Sequence, residues 1–85
     1  MCNNFKKDLG KNIRKIRKAK SYTQEDLYFE SGISRSHIAM IEAGKRDLTV
    51  SSLFKISRAL NVNMKEIFSF DNIEKYTYNI EQLYE

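Results

Sequence analysis

The chain begins with apolar residues spaced three and four apart, which is the period of one face of an α-helix. This stripe consists of Phe5, Leu9, Ile13 and Ile16. Lysines and arginines fill most positions between them, so the pattern predicts a core helix with a basic outer surface. We expect the helix to begin after a cap at Asn3 or Asn4 and to end near Ala19. Gly10 lies within the stripe and marks a place where another helix can approach closely.

Two shorter helices are predicted next, on either side of a single glycine. Thr23 is followed three residues later by Asp26, a pairing that is typical of the start of a helix. Gly32 can adopt the left-handed backbone that ends a helix sharply. Ser34 then caps the third helix, and Gly44 ends it.

The remaining apolar positions predict two more helices and an extension. Helix four starts near Ser51 and turns its apolar side inward at Leu53, Ile56 and Leu60, and a fifth short helix covers residues 64–68. The tail carries Ile73, Tyr76, Ile80 and Leu83, spaced by three, four and three. This spacing favours a sixth helix that packs either on its own domain or across a dimer interface. The aromatic residues Phe54, Phe68 and Phe70 are expected in the core.

These patterns together predict an all-α protein. We expect a compact five-helix domain over residues 1–70 and a short C-terminal helical extension over residues 71–85. Eighty-five residues are enough for one small domain. The abundance of good helix formers and the lack of proline agree with this fold class.

Charge is distributed unevenly along the chain, whose formal net charge is +4. Residues 1–20 hold eight Lys or Arg against one Asp, a net of +7, and residues 71–85 hold one Lys against four acidic residues, a net of −3. A basic front and an acidic tail favour a nucleic-acid face and a separate face that stays away from nucleic acid. The alternative is a charged surface that serves only solubility.

Several kinds of site and location are not expected. The lone Cys2 is expected to be an exposed, incidental thiol, and the lone His37 has no second ligand at metal spacing, so no metal or cofactor is predicted. There is no glycine-rich phosphate loop and no nucleophile beside a base, so the protein is not expected to be an enzyme. No apolar run suits a membrane span or a signal peptide, so a cytoplasmic protein without a membrane partner is expected. No small-molecule ligand is evident.

The third predicted helix has the character of a recognition helix. Its first turn carries small polar and basic side chains, and Ile38 and Ile41 follow on the side that faces the core. A short helix with a polar tip and an apolar back suits insertion into a groove, and we interpret it as a DNA-recognition helix. RNA binding is a weaker alternative, because no aromatic stacking face is apparent.

Four separated segments resemble the Xre, or lambda-repressor-like (Cro/cI-type), helix-turn-helix family. The segments are Thr-Gln-Glu-Asp-Leu at 23–27, Gly-Ile-Ser at 32–34, Ile-Glu-Ala-Gly-Lys-Arg at 41–46 and the Leu-x-x-Ile-x-x-Ala-Leu-Asn-Val run at 53–62. The resemblance covers roughly residues 9–68. The continuation through Arg-Asp-Leu-Thr-Val-Ser-Ser-Leu at 46–53 is also similar to the controller proteins of restriction–modification systems.

The resemblance implies a set of DNA contacts. In this family the third helix enters the major groove and the second lies across the backbone. The side chains nearest the base edges would be Ser34, Arg35, Ser36 and Ala39. Contacts to the DNA backbone would come from Gln24, His37, Lys45 and Arg46.

One position departs from the family pattern. The residue after Leu27 is usually small, because helices two and three pack closely there, and here it is Tyr28. Either the helix pair opens slightly or the ring turns outward.

The function predicted from these features is a sequence-specific transcriptional regulator that binds double-stranded DNA. It would act as a homodimer on an inverted-repeat operator, with control of a restriction–modification operon as the narrower possibility. The expected dimer interface consists of Ile67, Phe68, Phe70, Ile73 and Tyr76. The alternative is an antitoxin or adaptor that binds a protein partner and uses DNA binding for autoregulation.

Overall fold

The structure is a computed structural model that describes residues 2–71, 73 and 76, with side chains from Phe5 onward. Its elements in this range are α1 (Cys2–Ala19), α2 (Gln24–Ser31), α3 (Arg35–Glu42), α4 (Val50–Leu60) and α5 (Met64–Ile67). The described residues contain no strand, and the all-α, five-helix prediction is confirmed. The predicted sixth helix, with Ile80 and Leu83, lies largely outside the described residues.

One predicted helix start is wrong by a few residues. Helix α1 already includes Cys2, so Asn3 and Asn4 lie within its first turn rather than in front of it. Helix α4 begins at Val50, within one residue of the predicted start near Ser51, because the hydroxyl of Thr49 accepts a hydrogen bond from the Ser52 amide at 3.0 Å and caps the helix there.

The core lies where the apolar faces of all five helices meet. Its buried residues are Leu9, Ile13, Leu27, Ile33, Ile38, Ile41, Ile56, Leu60 and Ile67. Most of them belong to the stripes that the spacing predicts. Phe54 does not join them and remains 49 % exposed, so its predicted core position is wrong. It directly follows Leu53, about 100° around the helix, and this turn carries it off the buried stripe.

Helices α1 and α3 touch through their backbones at Gly10. A Cβ atom added at this position would clash with the carbonyl oxygens of Ile41 and Glu42. The close approach predicted at Gly10 is therefore confirmed, and it brings the end of α3 directly against α1.

The two ends of the described chain meet in an aromatic cluster, which we define as Phe5, Phe68, Phe70 and Tyr76. Ring centroids lie 6.5, 6.4 and 5.0 Å from Phe5, in that order. Beside this cluster the buried Asn12 amide donates hydrogen bonds to the carbonyl oxygens of Glu66 and Ile67 at 3.1 and 2.7 Å. These contacts hold α5 against α1.

Candidate nucleic-acid interface

Helix α2 begins and ends at the residues that the sequence predicts. The Asp26 amide donates to the Thr23 hydroxyl at 3.0 Å, and the Thr23 amide donates to the Asp26 carboxylate at 2.8 Å, which completes a capping box. At the other end Gly32 adopts a left-handed φ of 76°, and its amide donates to the Tyr28 carbonyl at 2.8 Å. The turn to α3 is therefore specified by local chemistry.

The first turn of α3 points into solvent. The Ser34 hydroxyl caps the helix by accepting the His37 amide at 3.2 Å, and the Ser36 hydroxyl lies 3.4 Å from it. We use the name recognition tip for Ser34, Arg35, Ser36 and Ala39, of which the first three are exposed and Ala39 is half-buried. On the opposite side of the helix Ile38 and Ile41 are buried in the core. The core thus fixes the back of α3 and leaves its polar tip available to a ligand.

A basic loop follows the end of α3. Gly44, at a φ of 74°, donates to the Ile41 carbonyl at 3.1 Å, and the Lys45 amide donates to the Met40 carbonyl at 2.9 Å. This pair of hydrogen bonds is a Schellman motif, so the backbone here is well defined. Lys45 and Arg46 are both exposed on it. Because the motif fixes the backbone at this point, the two side chains extend from a defined place beside α3.

A buried ion pair joins α1 to the end of α3, and sequence reasoning missed it. Arg17 donates from Nε and Nη2 to the two carboxylate oxygens of Glu42, at 2.7 and 3.0 Å, with side chains only 7 % and 3 % exposed. The Gln24 side-chain amide also donates to Glu42, at 3.0 Å. The available signal was Arg17 itself, which stands four residues after Ile13 on the apolar side of α1. This network ties the end of α3 to α1 and to Gln24, the first residue of α2.

A second ion pair lies on the surface of the recognition tip. Arg35 Nη1 donates to a carboxylate oxygen of Glu25 in α2 at 3.0 Å. Both side chains are largely exposed, at 64 % and 55 %. Sequence reasoning also missed this partner, because the two residues belong to different helices.

The structure shows how the packing of α2 and α3 accommodates the large ring of Tyr28. The ring is 38 % exposed and packs beside Phe29, with centroids 5.2 Å apart. It therefore turns outward, and α2 and α3 remain in contact with each other.

The profile of the helix-turn-helix family matches residues 13–67, which is more than half of the chain. The chain belongs to the Xre-like helix-turn-helix family. The resemblance drawn from its motifs is thereby confirmed. This family consists of DNA-binding transcriptional regulators, so the prediction that the protein is not an enzyme is confirmed as well.

Relatives of this helix-turn-helix protein include control proteins. It is 39 % identical over 74 residues to control protein C.BamHI of Bacillus amyloliquefaciens, covering 86 % of this chain and 91 % of that one. It is 35 % identical over 74 residues to control protein C.MunI of a Mycoplasma species, covering 86 % and 97 %. The crystal structure of the restriction–modification controller protein C.AhdI from Aeromonas hydrophila superposes with a TM-score of 0.72 at 34 % identity, covering 73 % of this chain and 94 % of that one.

His37 adds a titratable group beside the recognition tip of this helix-turn-helix protein. Partial burial lowers its pKa from the ordinary value of 6.5, and the positive charge of Arg46 lowers the pKa further. The shift therefore favours the neutral imidazole near pH 7. No group of three His, Cys, Asp or Glu residues suited to a metal ion occurs among the described residues.

The five predicted dimer contacts occupy different depths. Ile67 is 0 % exposed, so it has no surface to give to a second copy and can only support its neighbours from beneath. Phe68, Phe70, Ile73 and Tyr76 are half-buried. The Tyr76 hydroxyl also donates to the Asp8 carboxylate at 2.6 Å, which ties this part of the extension to α1.

Other exposed apolar surface lies on α4. Val50 is 79 % exposed, and Phe54 stands one turn further along the same helix with the Arg58 guanidinium 5.9 Å from its ring centroid. Within the residues that the structure covers, no helix has the length and apolar content of a membrane span.

Proposed function

We propose that this protein is a sequence-specific transcriptional regulator that acts as a homodimer on an inverted-repeat operator. The observation that carries this proposal is the recognition tip, an exposed polar turn on a helix whose other side is anchored in the core. A helix held in this way can enter the major groove without loss of core contacts. Family membership supports the same use of α3.

The recognition tip supplies groups that suit base edges. Arg35 can donate to both O6 and N7 of a guanine, a contact that is worth about 1–3 kcal/mol of discrimination. Ser36 can donate or accept, and the methyl group of Ala39 can pack against a thymine methyl. Ser34 uses its oxygen as the helix cap, but its hydroxyl proton remains able to donate.

Backbone contacts would come from residues around the recognition tip. Gln24 commits one amide hydrogen to Glu42, and its second amide hydrogen can reach a phosphate at the head of α2. Neutral His37 can donate one ring hydrogen. Lys45 and Arg46 would contact the sugar-phosphate backbone and fix the register without distinguishing sequences.

Pairing of two copies would supply affinity that one small domain lacks. A single module of this size covers one half-site, and the linkage of two modules multiplies their binding. Two-fold symmetry then requires half-sites about one helical turn apart. The partly exposed residues Phe68, Phe70, Ile73 and Tyr76 are our candidates for the shared surface, with Ile67 supporting them from below.

Control of a restriction–modification operon is the narrower form of the proposal. It is supported by C.BamHI, C.MunI and C.AhdI, which are named as control or controller proteins and share a third or more of their aligned residues with this chain. Regulation would follow from occupancy of a promoter, as repressor, activator or both. Such a regulator acts on chromosomal DNA, and we therefore propose that the protein works in the cytoplasm.

An antitoxin or adaptor is the second candidate function. The exposed Val50 and Phe54 favour it, because apolar side chains on the outer face of a helix suit a protein partner. The neighbouring genes separate the two candidates. A nuclease gene and a methyltransferase gene favour the controller, and a toxin gene favours the alternative.

Selection of binding sites from random duplex DNA tests the proposed function. The wild-type protein should enrich a symmetric motif with two half-sites. Arg35→Ala should lose base preference at one position of each half-site, by about 1–3 kcal/mol. Arg46→Ala is the matched control, since it should weaken binding to all sequences alike and reduce the salt dependence by about one charge per copy. No enriched motif from the wild-type protein would contradict the proposal.

A further inference from the structure

Glu25 places a carboxylate in a surface that is proposed to approach phosphates. It lies in the first turn of α2, and its oxygen is 3.0 Å from Nη1 of Arg35, the most basic member of the recognition tip. A negative charge at this place repels DNA. Among the acidic residues of α2, Asp26 has a structural use in the capping box, whereas Glu25 has its contact with Arg35.

The two Arg–Glu pairs of the described chain differ in burial and in the number of contacts. The Arg17–Glu42 pair is buried and uses two nitrogen–oxygen contacts. The Arg35–Glu25 pair is exposed and uses one. Exposed pairs with a single contact add little to folding stability. The outer pair therefore calls for an explanation other than stability.

The geometry leaves the recognition edge of Arg35 available. Glu25 occupies Nη1, and the guanidinium makes no other hydrogen bond within the described residues, so Nε and Nη2 keep their donors. Those two nitrogens form one side of the planar fork, and a fork edge matches O6 and N7 of a guanine. A carboxylate that holds one corner can therefore remain in contact while the other edge meets a base.

We propose that Glu25 is a positioning residue for base recognition, which orders Arg35 over the recognition tip before DNA arrives. This inference rests on the proposed function of α3. A long arginine side chain otherwise loses rotamer freedom on binding, and prior ordering removes part of that cost. The same contact also keeps the guanidinium away from phosphates of random sequence. Glu25 thus raises affinity for the operator relative to random DNA, although its charge alone weakens both.

The test compares binding of four variants to the selected operator duplex and to a random duplex of equal length. The variants are Glu25→Gln, Glu30→Gln, Arg35→Ala and the Glu25→Gln/Arg35→Ala double variant. Glu30→Gln is the matched control, because it removes the same charge from the same helix at a point about 140° around from Glu25. Thermal unfolding confirms that each variant is folded.

Glu25→Gln should reduce the operator-to-random affinity ratio by roughly three- to tenfold per half-site relative to Glu30→Gln. It should also weaken the preference for guanine at the position that Arg35 contacts. In the Arg35→Ala background the same substitution should not change the ratio, because the residue that it positions is gone.

Three results would overturn the inference. The first is an equal ratio for Glu25→Gln and Glu30→Gln. The second is a higher operator-to-random affinity ratio for Glu25→Gln than for Glu30→Gln, which would make Glu25 a competitor for Arg35. The third is an undiminished effect in the Arg35→Ala background, which would mean that Glu25 contacts DNA itself. If the wild-type protein prefers no sequence at all, the proposed function fails instead.

Discussion

At the scale of single residues, the capped polar turn at the start of α3 was predictable, and the ion-pair partner of Arg35 was not. Ser34 is a helix cap because a serine two residues after a turn glycine is a strong local signal, and the structure confirms the cap. Glu25 is ten positions away from Arg35 and on another helix. Contact between them depends on how α2 and α3 cross, which no pattern within either helix reveals.

The lowered pKa of His37 makes DNA binding depend on pH if the ring contacts a phosphate. A nearby phosphate favours the charged imidazolium and raises its pKa on binding, so complex formation is coupled to proton uptake as pH falls. Operator affinity should therefore increase between about pH 7 and pH 5.5 at constant ionic strength. Fluorescence anisotropy measures this dependence, and His37→Gln should remove it.

The same residue acts on folding with the opposite sign. Its pKa is lower in the folded chain than in the unfolded chain, so the unfolded state binds the proton first as pH falls. The stability that depends on neutral His37 is complete above pH 6.5 and is lost as pH falls through the lowered value.

An operator affinity that shows no pH dependence in folded wild-type protein would mean that His37 does not meet a phosphate.

At the scale of elements, helix starts, helix ends and the buried stripes were largely predictable. Helix ends depend on hydrogen bonds within a few residues, as at Thr23, Gly32 and Gly44. The glycine at position 10 predicted a close approach of another helix, and α3 makes it. Phe54 was misplaced because one step around α4 separates a buried position from an exposed one. The Arg17–Glu42 pair spans 25 positions, so only the assembled fold brings it together.

Loss of the Glu42 charge should destabilise the domain strongly. Glu42→Gln would leave Arg17 buried without an opposite charge, which costs about 3 kcal/mol or more. Urea unfolding should show a lower midpoint at an unchanged slope. Glu30→Gln, an exposed position on α2, should change the free energy of unfolding by less than about 0.5 kcal/mol. Equal effects of the two substitutions would show that the pair does not anchor α3.

At the scale of the whole molecule, the aromatic cluster joins the first described turn of α1 to the last described residues. Phe5 contacts all three other rings, so the beginning of the basic helix and the start of the acidic extension form one surface. The sequence indicated the apolar character of each ring. It did not indicate that they pack within one chain, because Phe5 is more than 60 positions away from the other three rings.

Phe5→Ala should test the importance of this cluster. Since the ring is half-buried, the expected loss is about 2 kcal/mol in the free energy of unfolding. Phe54→Ala removes the same side chain from an exposed site and should cost about 0.5 kcal/mol. Chemical denaturation of the two variants side by side makes the comparison. Similar losses would mean that the cluster contributes little to the fold.

Phe5→Ala should also weaken self-association if the half-buried rings form the shared surface. Sedimentation at several protein concentrations measures this, and Phe54→Ala again provides the comparison. A stronger effect of Phe54→Ala on association would move the proposed interface to α4.

If α3 enters the major groove as proposed, its shortness limits how many base pairs one copy can read. Its eight residues rise about 12 Å along the axis, which matches about four base pairs. Four base pairs carry about eight bits, and such a sequence occurs by chance roughly once in 256 positions. Two copies would read about eight base pairs, or about sixteen bits, and such a sequence occurs by chance roughly once in 65,000 positions. A bacterial chromosome offers more than about a million positions. If α3 reads DNA as proposed, a unique address for one dimer would require neighbouring operators that are occupied together.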